Sequence, residues 1–190
     1  MPARDLDDLI VWLKSNPMKA SAGFGSTSGH LVTAYFQKQT GTKLTLVPYR
    51  GLAPALQDLV AGQIDLYLGA PDPLSLVRAG SVKAYAVTSD ARLPQAPELP
   101  TFAEIGLPEL SYSAWYALFA PRGTPKEIIG RLNAAAVQAL ADPAVQSRLA
   151  NLGGEIFSTE RQTPGALDAL VKADSEKWWP LIKEFGIRAE

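Results

Sequence analysis

Apolar residues recur at helical spacing from the start of the chain. Leu6, Leu9, Ile10 and Leu13 fall on one face, Asp5, Asp7 and Asp8 crowd the first turn, and Asn16-Pro17 ends the run. The spacing predicts an amphipathic helix. A short strand then leads into a loop holding Gly23, Gly25 and Gly29, and a second helix follows, with its apolar face beginning at Leu31 and Val32 and its end at Gly41. Residues 43–47 alternate as a strand, which Pro48-Tyr-Arg-Gly51 breaks. A helix–strand unit then appears twice. The first copy is a helix over 54–61, with Leu56, Leu59 and Val60 inward and Gly62 as its cap, followed by a strand over 64–68. The second is a helix over 71–79, with Leu74, Leu76 and Val77, capped by Gly80 and followed by a strand over 82–88. Helices alternating with short strands predict an open α/β sheet, whose ligands sit at the carboxyl ends of the strands. Those ends carry residues 22–28, Tyr49-Arg50 and Gly69-Ala70.

Pro94, Pro97, Pro100 and Pro108 make residues 90–108 a poor place for regular structure beyond one turn of helix at 102–105. This stretch reads as the passage between two structural halves. Beyond it, residues 113–120 form an apolar strand, and Thr124-Pro-Lys-Glu127 has the form of a capping box opening a helix with Ile128, Ile129, Leu132, Val137 and Leu140. That helix restarts at Asp142-Pro143 and ends at Gly153-Gly154. A strand over 155–157 precedes Thr163-Pro164 and a final helix, which Pro180 is expected to kink.

The 190 residues suffice for one large domain or two small ones with a buried core. Hydrophobic residues make up 47% and charged ones 19%, which is the balance of a globular chain rather than a disordered one. A net charge of -1 argues against a nucleic-acid surface, and no run is long enough to span a membrane. The first eight residues do not have the form of a signal peptide. The absence of cysteine excludes disulfides, thiol nucleophiles and thiolate metal sites.

The chemistry concentrates in the glycine loop. Ser26, Thr27 and Ser28 stand where the first amides of a helix point outward, beside hydroxyls, so donors and the positive end of the helix dipole converge on one spot. This suits a small anion; it equally suits a helix cap with no ligand. His30, the single histidine, lacks partners for a metal site and lies too near Ser26 and Ser28 for a triad, so it reads as a first-turn packing residue. Tyr49 follows a strand end, where it suits either ligand contact or a surface turn, and Arg50 reads as a solvated turn residue. Asp65 and Asp72 have nothing to set them opposite each other, and Trp115, Trp178 and Trp179 read as core. The rival from another class is an NADP-dependent oxidoreductase, since Gly23-x-Gly25-x-x-x-Gly29 loosely follows a dinucleotide loop and Arg50 stands after the next strand. The short polar strand before the loop and the lack of an accompanying proton donor weigh against it.

Five stretches in order, Ser21-Ala-Gly-Phe-Gly-Ser-Thr-Ser-Gly-His-Leu31, Val47-Pro-Tyr-Arg-Gly51, Pro54-Ala-Leu-Gln-Asp-Leu59 with Gly62-Gln-Ile-Asp65, Ala86-Val-Thr-Ser89, and Trp115-Tyr-Ala-Leu-Phe-Ala-Pro121 with Gly123-Thr-Pro125, resemble the extracytoplasmic solute receptors of tripartite tricarboxylate transporters, the Bug proteins. The resemblance implies a periplasmic, Venus-flytrap receptor with the α/β type II periplasmic-binding-protein-like fold. Such a receptor has no catalytic activity or cofactor, binds a small mono-, di- or tricarboxylate, and passes it to membrane permease subunits. It also implies ligand contacts from Gly23, Phe24, Gly25, Ser26, Thr27, Ser28, Tyr49 and Ala70. Family members begin with a signal peptide and the first strands and helices of their first domain, to which this sequence shows no counterpart. Residues 5–112 are therefore expected to be a complete ligand-binding α/β domain, the family's second, and 113–190 the C-terminal part of the first. Helices over 125–185 would then lack the sheet they cover. Their apolar face has to pack on the other domain, on a second copy as a homodimer through the C-terminal helices, or on a separate fragment. Ala117 stands where the family usually has glycine. A third reading is a fragment that serves only as an interaction module.

Overall fold

Asp5 opens the first helix, α1 (Leu6–Ser15), by accepting the Asp8 amide at 2.9 Å. This is a computed structural model, and it describes residues 3–69, 74–151 and 154–188. Leu6, Leu9 and Leu13 are the buried face of α1, as their spacing requires. The chain then enters β1 (Ser21–Phe24), α2 (Thr27–Thr40), β2 (Thr45–Pro48), α3 (Leu52–Val60), β3 (Leu66–Tyr67) and α4 (Leu74–Arg78). The three strands form a parallel sheet in the order β2–β1–β3, with Ala22 opposite both Leu46 and Leu66. Parallel neighbours need long crossovers, which α2 and α3 provide. The strand order reverses about β1, and such reversals set the ligand crevice of open α/β sheets at the strands' carboxyl ends.

The sheet buries Ala20 and Ala22 completely against Leu9, Leu13, Phe36 and Leu44, and Phe36 meets Phe102 edge to face at 6.4 Å. The chain divides into two units, Met1–Ala114 with Leu181–Glu190, and Trp115–Pro180. The first contains this core and a satellite cluster of Leu93, Ala96 and Leu99.

The expected strand over 82–88 does not form. A single bridge pairs Val87 with Thr101, in which the Val87 amide donates to Pro100 and the Phe102 amide donates to Val87. The next rung of that parallel ladder needs an N–H from Pro100, which has none. Residues 82–86 instead reach the segment just ahead of α1: the Lys83 ammonium donates to the Ala3 carbonyl at 2.9 Å and the Tyr85 hydroxyl to the same oxygen at 3.3 Å. The turn of helix expected at 102–105 is a hydrogen-bonded turn, and a 3-10 turn follows at Pro108–Leu110. Thr101 and Glu104 exchange the two bonds of a capping box there, at 2.8 and 3.1 Å. Val60, expected inward on α3, is 47% exposed. Of the second repeat's helix, 71–73 lie outside the described residues, and α4 covers Leu74–Arg78.

The second unit holds α5 (Lys126–Leu140), α6 (Pro143–Asn151) and most of α7 (Pro164–Glu184), inside which Pro180 sits. The capping box expected at Thr124–Glu127 is not made. The Thr124 hydroxyl donates back to Pro121 at 2.8 Å, and α5 begins after Pro125 without a side-chain cap. Asp142 and Thr163 do cap, accepting the amides of Ala144 at 2.7 Å and Ala166 at 3.1 Å. The strands expected over 113–120 and 155–157 form no ladder among the described residues. A strand exists only through its neighbours' backbone groups, and none is at hand. Gly153, expected beside the end of α6, lies outside the described residues.

Candidate functional site

The turn from β1 into α2 is built by glycine and serine chemistry. Gly25 lets two backbones touch: a Cβ there would overlap the Gly51 carbonyl and stand 2.8 Å from the Leu52 nitrogen. The head of α2 is thus held against the head of α3. Ser26 is the cap residue of α2, extended at φ -156 and ψ 160, and its hydroxyl accepts the Gly29 amide at 3.1 Å. Its carbonyl accepts the His30 amide at 3.0 Å. The amides of Thr27 and Ser28 meet no acceptor among the described residues. Gly51 caps α3 at φ 101 without any side-chain bond. Two positive helix ends, only one of them side-chain capped, therefore meet at Gly25.

Around this turn lies a pocket of ≈ 50 Å³ lined by Phe24, Gly25, Ser26, Thr27, His30, Pro48, Tyr49 and Arg188. It has room for a group the size of a carboxylate. The His30 ring stacks on Phe24 at 4.5 Å, and burial pushes its pKa below the ordinary 6.5, which favours the neutral imidazole. Tyr49 is held by its backbone, whose amide donates to Phe24 at 2.8 Å, and by its hydroxyl, which donates to Asp58 at 2.7 Å. That bond to a carboxylate pushes the phenol pKa up. Arg188 supplies the pocket's positive side chain. The described residues contain no cluster of three or more His, Cys, Asp or Glu able to hold a metal ion.

A family described as the tripartite tricarboxylate transporter family receptor, TctC, matches residues 1–187. The chain belongs to the TctC family. Similar proteins include BugT of Bordetella pertussis, 33% identical over 187 residues that cover 96% of this chain and 56% of BugT. Two solved structures from Rhodopseudomonas palustris are also similar. Rpa4515 with adipate matches with a TM-score of 0.84 and 34% identity, over 100% of this chain and 64% of its own. MatC with bound malate matches with a TM-score of 0.83 and 33% identity, over 95% and 63%. The chain spans about half the length of the curated relatives it matches. The α/β periplasmic-binding-protein-like fold expected from the sequence is borne out by the match to the structure of the periplasmic binding protein BugD, with a TM-score of 0.84 and 34% identity over 100% of this chain and 64% of BugD.

Of the residues singled out in the sequence, Phe24, Gly25, Ser26, Thr27 and Tyr49 line one pocket. Gly23 lies behind it, where a Cβ would overlap the Ile64 side chain and approach the Tyr49 ring to 3.1 Å. Ser28 turns its hydroxyl to that of Ser26, 3.0 Å away, and does not line the pocket. Ala70 lies outside the described residues. Arg50 is exposed and away from the pocket lining. Asp65, just ahead of β3, accepts the Ser21 amide and hydroxyl, both at 2.9 Å. Sequence reasoning missed Arg188. It lies 161 positions beyond Thr27 at the end of an unpatterned tail, so no local signal marks it.

Proposed function

We propose that this TctC-family chain binds a small carboxylate at the head of α2, as the non-catalytic receptor of a tripartite tricarboxylate-type transporter in the periplasm. One observation carries this reading: the Thr27 and Ser28 amides lack acceptors, and Thr27 lines a carboxylate-sized pocket. Such amides at a helix head, with the dipole behind them, favour an anion without any reactive side chain. Residues 25–28 are the ligand loop, with the Ser26 and Thr27 hydroxyls as further donors and Tyr49 as the wall. Arg188 adds a long-range attraction for the ligand's charge. The relatives' ligands, adipate and malate, are both dicarboxylates, and this is the ligand class proposed here. Nothing at the turn forms a nucleophile–base pair: Ser26 is engaged with Gly29 and Ser28, and His30 with Phe24. The receptor hands its ligand to the membrane permease subunits.

Calorimetric titration with adipate and with malate tests the proposal. Ser26→Val removes a hydroxyl and crowds the turn. Loss of one bond to a charged acceptor costs about 1.5–3 kcal/mol, or roughly ten- to a hundredfold in affinity. Unchanged affinity in a variant with native circular dichroism refutes the assignment of this loop.

A further inference from the structure

Arg188 brings an unpaired cation to the pocket. It has no hydrogen-bond or ion-pair partner among the described residues, and no aspartate or glutamate shares the lining with it. The backbone that carries it is fixed. Gly186 takes φ 64 and closes α7 with a Schellman turn, in which the Ile187 amide donates to Ile182 at 3.0 Å and the Gly186 amide to Lys183 at 3.2 Å. Ile187 is buried, and just before the turn Glu184 pairs with Lys38 of α2 at 2.7 Å. The same ammonium stands 5.9 Å from the Phe185 ring. Residues 181–190 belong to the unit that contains the glycine loop. Contacts on both sides of Gly186 therefore anchor the chain next to Arg188, while its guanidinium stays free at the pocket that α2 heads.

The pocket of ≈ 50 Å³ has room for one carboxylate, which offers about four lone-pair sites. In the proposed loop the Thr27 and Ser28 amides and the Ser26 and Thr27 hydroxyls fill those sites. The N–H fork of Arg188 then exceeds what that carboxylate can accept. We propose that Arg188 is a specificity-determining residue: its guanidinium takes the second carboxylate of a dicarboxylate whose first is held by residues 25–28. This inference rests on the carboxylate-loop reading and adds the reason a second charge is favoured there. A planar guanidinium meets a carboxylate through two parallel bonds, a geometry that an ammonium does not reproduce. A monocarboxylate of equal length leaves the fork unpaired and brings a methyl group to it.

Calorimetric titration with adipate and with hexanoate, which has a methyl group in place of one carboxylate on a chain of the same length, tests the assignment. Roughly 0.5 M NaCl screens general charge attraction but not a direct contact. The native chain is expected to prefer adipate by about tenfold or more, as a charge-assisted pair would give. Arg188→Gln is expected to lower adipate affinity far more than hexanoate affinity, so that the ratio falls about tenfold, and Arg188→Lys to restore only part of it. Three results overturn the proposal. Equal losses for both acids in Arg188→Gln would put the guanidinium on the first carboxylate or in the fold, an unchanged ratio would remove it from the ligand, and full restoration by lysine would leave charge alone as its role. NMR shifts of the amides at residues 25–28 separate this from the reading beneath it. Shifts there with an unchanged ratio refute only the role of Arg188, whereas binding without them, or no binding of either acid, refutes the loop and this inference together.

Discussion

Replacing Gly25 with alanine tests whether the two helix heads are held together by backbone contact. The new methyl group would overlap the Gly51 carbonyl and crowd the Leu52 nitrogen, and both are main-chain atoms that no rotamer change can move aside. Overpacking of this kind costs about 1–3 kcal/mol, and reduced freedom of the unfolded chain returns about 0.4–1 kcal/mol, leaving a net loss of roughly 1–2 kcal/mol. The comparison is Gly130→Ala in α5, where a Cβ meets nothing within 4 Å and the helix interior favours alanine by about 0.5–1 kcal/mol. Native-state hydrogen exchange reads the two units separately, through the amides of α2 and of α5. The α2 amides of Gly25→Ala should exchange roughly five- to thirtyfold faster, while the α5 amides of Gly130→Ala slow. The same displacement parts the heads of α2 and α3, so dicarboxylate affinity falls with stability. Unchanged or slower α2 exchange in Gly25→Ala would refute the close-contact reasoning.

Leu13 is fully buried, so Leu13→Ala should cost about 2–5 kcal/mol, whereas Leu132→Ala, at a side chain 53% exposed, should stay within about 0.5 kcal/mol; thermal melts compare the two. His30 titrates below its ordinary 6.5 because burial disfavours the imidazolium. Unfolding therefore takes up a proton between the native value and 6.5, so stability is full above 6.5 and falls as the pH drops through it. An NMR titration of this single histidine should show the lowered midpoint, and His30→Phe, which keeps a ring against Phe24, should remove its share of the pH dependence.

What the sequence made legible were features decided within a few residues. The apolar spacing of Leu6, Leu9 and Leu13 defined α1, and the run from Gly23 to Gly29 marked the turn from strand to helix, although Gly23 lies in β1 and Gly29 in α2 rather than in the loop between them. The errors arose where the deciding atom was remote. The missing N–H of Pro100 stops a ladder at Val87, and nothing within 82–88 reveals it. Thr124 and Glu127 have the sequence of a capping box but do not make one, because the Thr124 hydroxyl donates to Pro121, whereas Thr101 and Glu104 make the box that was not expected there. Strand-type sequence over 113–120 states a preference that only a partner can satisfy. In the candidate site the turn was legible and its far wall was not, since Arg188 arrives by tertiary folding alone.

The central claim is that unpaired main-chain donors at the head of α2 hold the ligand's carboxylate. Amide chemical shifts recorded by NMR during titration with adipate or malate test it at the atoms concerned. Saturable shifts that are largest at Gly25, Ser26, Thr27 and Ser28, and that weaken in Ser26→Val, are expected. Binding that moves other amides while those four stay still would contradict it.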